Sequence, residues 1–261
     1  DLDGVDLSAD SAIVIGCGPI GLMAIATLRD RVSALANGAQ LGAVLALLSS
    51  RVLGQYLPLA RHPRLVLVAP NVAAVERAIG APPDDFRLWV CLHEQTHRLQ
   101  FARAPWLRDY LVRQFGDLVR DEGRRDATPA RRLPASVLDL VVGPGQRVVL
   151  DRVTAVMSLL EGYADVMMDR VGPAVVRSVE TIRPRFEARR SRGGWAGVLN
   201  RLTGLDLKLA QYREGAAFCR HVIGCAGVEG LNVVYEASGL LPSLEEIRDP
   251  DAWLARVHPG S

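Results

Sequence analysis

The run FRLWVCLHEQTHRLQF carries two histidines four residues apart, His93 and His97, with Glu94 directly after the first. On a helix, residues four apart lie one above the other, so the two imidazoles face one point, while Glu94 sits roughly 100° around the helix from His93. Phe86, Val90 and Phe101 are expected on the side that carries both histidines, with Trp89 at its margin. Two imidazoles and a carboxylate in such an apolar stripe are costly unless something pairs with them. A zinc ion would do so: two nitrogens at about 2.0 to 2.1 Å make half of a tetrahedral site, and the neighbouring carboxylate can take a proton from water at the open position.

A catalytic site of this kind needs a third protein ligand. The run DRVTAVMSLLEGYADVMMDRV has a helical apolar stripe through Val153, Val156, Met157, Leu160, Ala164, Met167 and Val171, with Glu161 at its edge and Asp165 one turn later. Glu161 is the expected third ligand, and Asp165 the expected acceptor of an N–H from a metal-bound histidine. Tyr163, Tyr212 and His221 have the right chemistry to stabilise an oxyanion, and Tyr212 is the preferred candidate.

Around these two helices, residues 38–56 read as a helix and 64–69 as a short strand. Asn71 is placed to cap a helix through Ile79, and Pro82, Pro83, Asp84 and Asp85 open the histidine-bearing helix, which runs to about Ala102. A polar, arginine-rich stretch with Pro129 and Pro134 precedes a strand-like run at 147–150, then a helix over 151–171. Further helices are expected near 174–190, 206–223, 228–236 and 250–257. The expected class is mainly α with a small β component, one domain spanning residues 1–261.

The chain has 261 residues, 49% hydrophobic and 23% charged, with a formal net charge of +2, so it can bury a core and nothing in it demands an acidic partner. The arginine runs at 120–132 and 183–192 are interleaved with Asp and Glu and lack the aromatic spacing of a nucleic-acid platform. Cys17, Cys91, Cys219 and Cys225 form neither a C-x-x-C pair nor a knuckle, which points to a reducing, cytoplasmic setting. The uncharged stretch 12–28 is interrupted by Gly16, Gly18, Pro19 and Gly21 and follows an acidic leader, so no membrane span or signal peptide is expected. Gly16, Gly18 and Gly21 also make a G-x-G-x-x-G turn of the kind that admits a pyrophosphate, but residues 36–46 offer no second strand ending in an acid.

The segments HEQTHRLQF and SLLEGYADVMMD, together with VLGQYLP, LVAPNV, DDFRLWVCLHE, QYREGAAFCRHVIG and IRDPDAW, resemble a family of zincin-like metallopeptidases once classed as a domain of unknown function. Its members have been described as hydrolases and as associated with coenzyme F420 biosynthesis. The resemblance spans about residues 38–257 and matches residues 1–37 poorly. By similarity to gluzincins it implies a zincin-like fold, Zn²⁺ held by His93, His97 and Glu161, and Asp165 as the histidine-orienting acid; it identifies no substrate, and a peptide or protein is expected from the hydrolytic reading of the site itself. The expected activity is hydrolysis of peptide or amide bonds by metal-activated water, with Glu94 as general base. Two other readings stay open: a non-catalytic binding module of the same fold, and a nicotinamide-dependent oxidoreductase using the Gly16-Gly18-Gly21 turn.

Overall fold

The computed structural model describes residues 52–120, 144–191 and 205–259. They form a mostly helical body with a two-stranded sheet. Strand β1 (Gly54–Leu57) pairs antiparallel with β2 (Arg64–Leu67), with Gly54 opposite Leu67 and Tyr56 opposite Leu65. Helix α1 (Ala69–Ile79) follows, then α2 (Pro83–Arg103), α3 (Trp106–Arg120), α4 (Pro144–Asp169), α5 (Val179–Ser191), α6 (Leu205–Asn232), α7 (Leu244–Arg248) and α8 (Pro250–Val257).

Local chemistry sets several of the boundaries. Helix α1 starts with a proline in its first turn, where the missing N–H costs nothing, and stops at Gly80, whose φ of 62° is left-handed. Helix α2 likewise opens on Pro83, with Asp84 and Asp85 at its positive end. Asp85 also accepts hydrogen bonds from the backbone N–H and hydroxyl of Ser178, at 2.8 and 2.6 Å, and these bonds hold its carboxyl below the usual range. Ser243 and Glu246 cap α7 reciprocally.

Helix α4 runs between two apolar clusters. One gathers Leu107, Val156, Leu159, Leu160, Phe218 and Trp253; the other gathers Val75, Phe86, Trp89, Val90, Ile182 and, from the end of α4, Met168. Helices α4 and α6 cross with their backbones in contact. A methyl group on Gly162 would lie 2.2 Å from the carbonyl carbon of Gly215, and one on Gly215 would lie 1.9 Å from the Ser158 carbonyl oxygen, so only glycine fits at either position.

Four sequence expectations change here. Residues 147–150 belong to the first turns of α4, because the β-branched run continues into a helical stripe whose burial overrides local strand preference. The C-terminal end of the helix expected over 38–56 is strand β1, and residues 38–51 lie outside the described region. Asn71 sits inside α1, and its side-chain N–H donates to the Val52 carbonyl at 2.7 Å. The helices expected at 206–223 and 228–236 are one element, α6, bent at Gly227 (φ 73°) and followed by a 3₁₀ turn at Val233–Tyr235. Among the described residues no helix is long and apolar enough to cross a membrane.

Candidate metal centre

The deepest stripe of α2 runs through Phe86, Val90 and Glu94, one turn apart, and His93 and His97 lie beside it, partly exposed. The helix thus buries the carboxylate more completely than the imidazoles. The two rings stand 5.0 Å apart between centroids and nearly perpendicular, at 87°. From α4, Glu161 reaches across to both: Oε2 is 3.7 Å from His93 Nε2, and Oε1 is 3.7 Å from His97 Nε2. One donor atom from each of the three side chains lies within 4.8 Å of the other two.

These separations suit a shared cation. At 3.7 Å the nitrogen and oxygen atoms are too far apart for a hydrogen bond, yet close to the roughly 3.4 Å edge of a tetrahedron whose bonds are about 2.0 to 2.1 Å long. Two imidazole nitrogens and one carboxylate are a donor set zinc accepts, and three protein ligands leave one position for water or substrate.

Glu94 is 7% exposed. Burial pushes its carboxyl up to about 7; the charge of Glu161 adds to the rise, while His97 and a hydrogen bond from the Tyr56 backbone N–H oppose it. Strand β1 approaches this side chain: Tyr56 packs against Phe101 of α2 with the rings tilted by 46° and centroids 5.8 Å apart, and Gly54 is close enough that an added methyl would fall 2.7 Å from Glu94 Cγ.

Behind His97 sits Gln100, 2% exposed. Its Oε1 is 2.9 Å from His97 Nδ1, and its Nε2 donates to the Leu160 carbonyl at 3.0 Å and to the Tyr235 hydroxyl at 2.9 Å. Asp165, the histidine-orienting acid expected from sequence, is engaged elsewhere. Arg183 of α5 approaches it at 2.8 Å and Arg220 of α6 at 3.4 Å, and both also hold Asp169 at 2.9 Å. A guanidinium from each neighbouring helix offers Asp165 a charged partner, which competes well against a neutral imidazole N–H.

The oxyanion candidates divide differently. Tyr163 donates to Asn232 Oδ1 at 3.0 Å, and His221 lies exposed against Asp251 at 2.7 Å. The Tyr212 side chain and the Gly16-Gly18-Gly21 turn lie outside the described residues. Gln100 could have been found from sequence, since it falls three residues after His97 and so shares its side of the helix. Gly54 and the Tyr56 N–H carry no comparable signal, because backbone contact between a strand and a distant helix leaves no mark on residue type.

No curated protein matches the chain. A crystal structure of a proposed hydrolase with a novel fold, from Chloroflexus aurantiacus, is similar to it at 36% sequence identity and a TM-score of 0.64, over 86% of this chain and 69% of the other. The model of the zincin-like metallopeptidase family matches residues 9–254, a span that includes most of the opening segment as well as His93, Glu94, His97 and Glu161. The site is a trio of side chains on two packed helices that could hold a metal ion, which together with the family supports a metal-dependent hydrolase, and the chain belongs to the zincin-like metallopeptidase family.

Proposed function

We propose that the protein is a zinc hydrolase that cleaves peptide or amide bonds in a peptide or protein substrate. The reading rests on one juxtaposition: three donor atoms facing a common point, with a buried carboxylate on the residue next to one of them. His93, His97 and Glu161 would hold the ion. Zinc bound there would supply Lewis acidity, lowering the pKa of a water toward neutrality and polarising the scissile carbonyl. Glu94 accepts the proton of the attacking water on its carboxylate and delivers it to the leaving nitrogen. The Tyr56 N–H holds that carboxylate in place, and burial keeps bulk water from competing for it. Tyr212 is the proposed oxyanion donor. The free thiols of Cys91, Cys219 and Cys225 suit a reducing, cytoplasmic location.

The test compares wild type with Glu94→Gln for metal content and for turnover of a mixed peptide library. Retained zinc with turnover reduced by about a thousandfold or more is the expected result, given that this substitution removes the proton acceptor along with its charge. Equal turnover in the two proteins would remove Glu94 from the reaction. Wild-type protein that binds zinc in three-ligand form yet cleaves no peptide would favour the non-catalytic binding module instead.

A further inference from the structure

We infer that Gln100 is the positioning residue for His97: it fixes the imidazole as the tautomer whose free lone pair is on Nε2, and at the same time ties the two ligand-bearing helices together beside Glu161. The inference rests on the metal-binding reading of the site.

The hydrogen bonds of one buried amide, that of Gln100, fix its orientation. The Leu160 carbonyl can only accept, so the group 3.0 Å from it must be the NH₂ of Gln100. The second N–H of that NH₂ goes to the Tyr235 hydroxyl oxygen at 2.9 Å. Both donors are then spoken for, and the atom 2.9 Å from His97 Nδ1 is the Gln100 carbonyl oxygen, which cannot donate. His97 Nδ1 must therefore carry the hydrogen. In the neutral ring that leaves Nε2 unprotonated, and Nε2 is the atom facing Glu161 Oε1 across 3.7 Å. The tautomer is set by the amide's orientation, and the amide's orientation is set by α4.

The anchor points are rigid. Leu160 is the residue immediately before Glu161, so the same amide that orients His97 also holds the backbone that carries the carboxylate. The Tyr235 ring is buried, and burial raises its phenol well above the ordinary range, keeping it neutral and able to accept. Its turn is pinned in turn by Trp106, whose indole N–H donates to the Tyr235 carbonyl at 3.0 Å. A neutral amide in this position also differs chemically from a carboxylate. It orients the imidazole without pushing negative charge onto it, and would leave a bound cation more strongly Lewis-acidic than a carboxylate partner would.

The test is the tautomer of His97 in metal-free protein, read at pH 8 from long-range ¹H–¹⁵N correlations of histidine-labelled wild type and Gln100→Met, with zinc affinity measured by chelator competition on both. Wild type is expected to show hydrogen on Nδ1, and the variant to lose that preference and bind zinc about 10- to 100-fold more weakly. Hydrogen on Nε2 of His97 in wild type would overturn the inference, and needs no folded variant. An unchanged tautomer and affinity in a folded Gln100→Met would overturn it as well. Failure of wild type to bind zinc would instead defeat the metal-binding reading, while the tautomer still decides what Gln100 does.

Discussion

Gly54 presents a bare Cα to Glu94, and a methyl group there would lie 2.7 Å from Glu94 Cγ and 2.9 Å from Leu67 Cδ2. Strand β1 thereby acts as a template for the proposed general base, by shape at Gly54 and by a hydrogen bond at the Tyr56 N–H. Gly54→Ala should push the carboxylate out of line while leaving all three donor atoms in place. The expected outcome is a fall in kcat of about 10- to 100-fold, the scale of a misplacement near 1 Å, with zinc content unchanged. Steady-state kinetics alongside metal analysis checks it.

The carboxyl of Glu94 also makes the stability of the metal-free protein depend on pH. Its value is about 7 in the folded chain, against 4.5 for an ordinary glutamate. Between those two values the folded protein keeps a proton that the unfolded chain has released, so stability falls as pH rises from 4.5 through 7. The loss is complete above 7 and amounts to about 3 kcal/mol at most. Glu94→Gln should remove this slope and be the more stable protein at pH 8. Urea unfolding of both proteins between pH 5 and 8, with a chelator present, measures the difference.

Asp165 ties α4 to α5 and α6 through Arg183 and Arg220. Asp165→Asn should therefore cost about 1 kcal/mol of stability, the scale of a partly exposed ion pair, and the cost should shrink in high salt. Zinc affinity should stay within about twofold of wild type, since the loss touches no donor atom and falls well short of the tenfold or greater effect of removing a histidine's partner. Chelator competition and thermal unfolding at two salt concentrations separate the two effects.

The crossing of α4 and α6 leaves no room for a side chain at Gly162 or Gly215. Because Gly162 adjoins Glu161, forcing these helices apart also moves a ligand. Gly215→Ala should destabilise the protein by about 3 kcal/mol or more, as expected where a methyl meets backbone that cannot yield. Circular dichroism melting curves would show the shift.

The two ligand-bearing helices could be read from sequence, α4 by its apolar stripe and α2 by its proline and aspartate start and the spacing of His93, Glu94 and His97. Glu161 was legible as an acid at the edge of a buried stripe. What could not be read depended on neighbours in space. Asp165 has the same sequence signature as a histidine-orienting acid, and only the arrival of Arg183 and Arg220 from other helices commits it to a different task. The run at 147–150 looks like a strand residue by residue, and is helical because the segment after it must bury a helical stripe. Glycines 54, 162 and 215 read as ordinary glycines until the backbones they admit are brought beside them.

An anomalous difference map at the zinc absorption edge, from crystals of protein grown with one equivalent of zinc, bears most directly on the convergence of two helices on one cation. A single strong peak bonded to His93 Nε2, His97 Nε2 and a Glu161 carboxylate oxygen, each at about 2.0 to 2.2 Å, is the expected result. Zinc seated elsewhere, or bound to the histidines with Glu161 turned away, would contradict it.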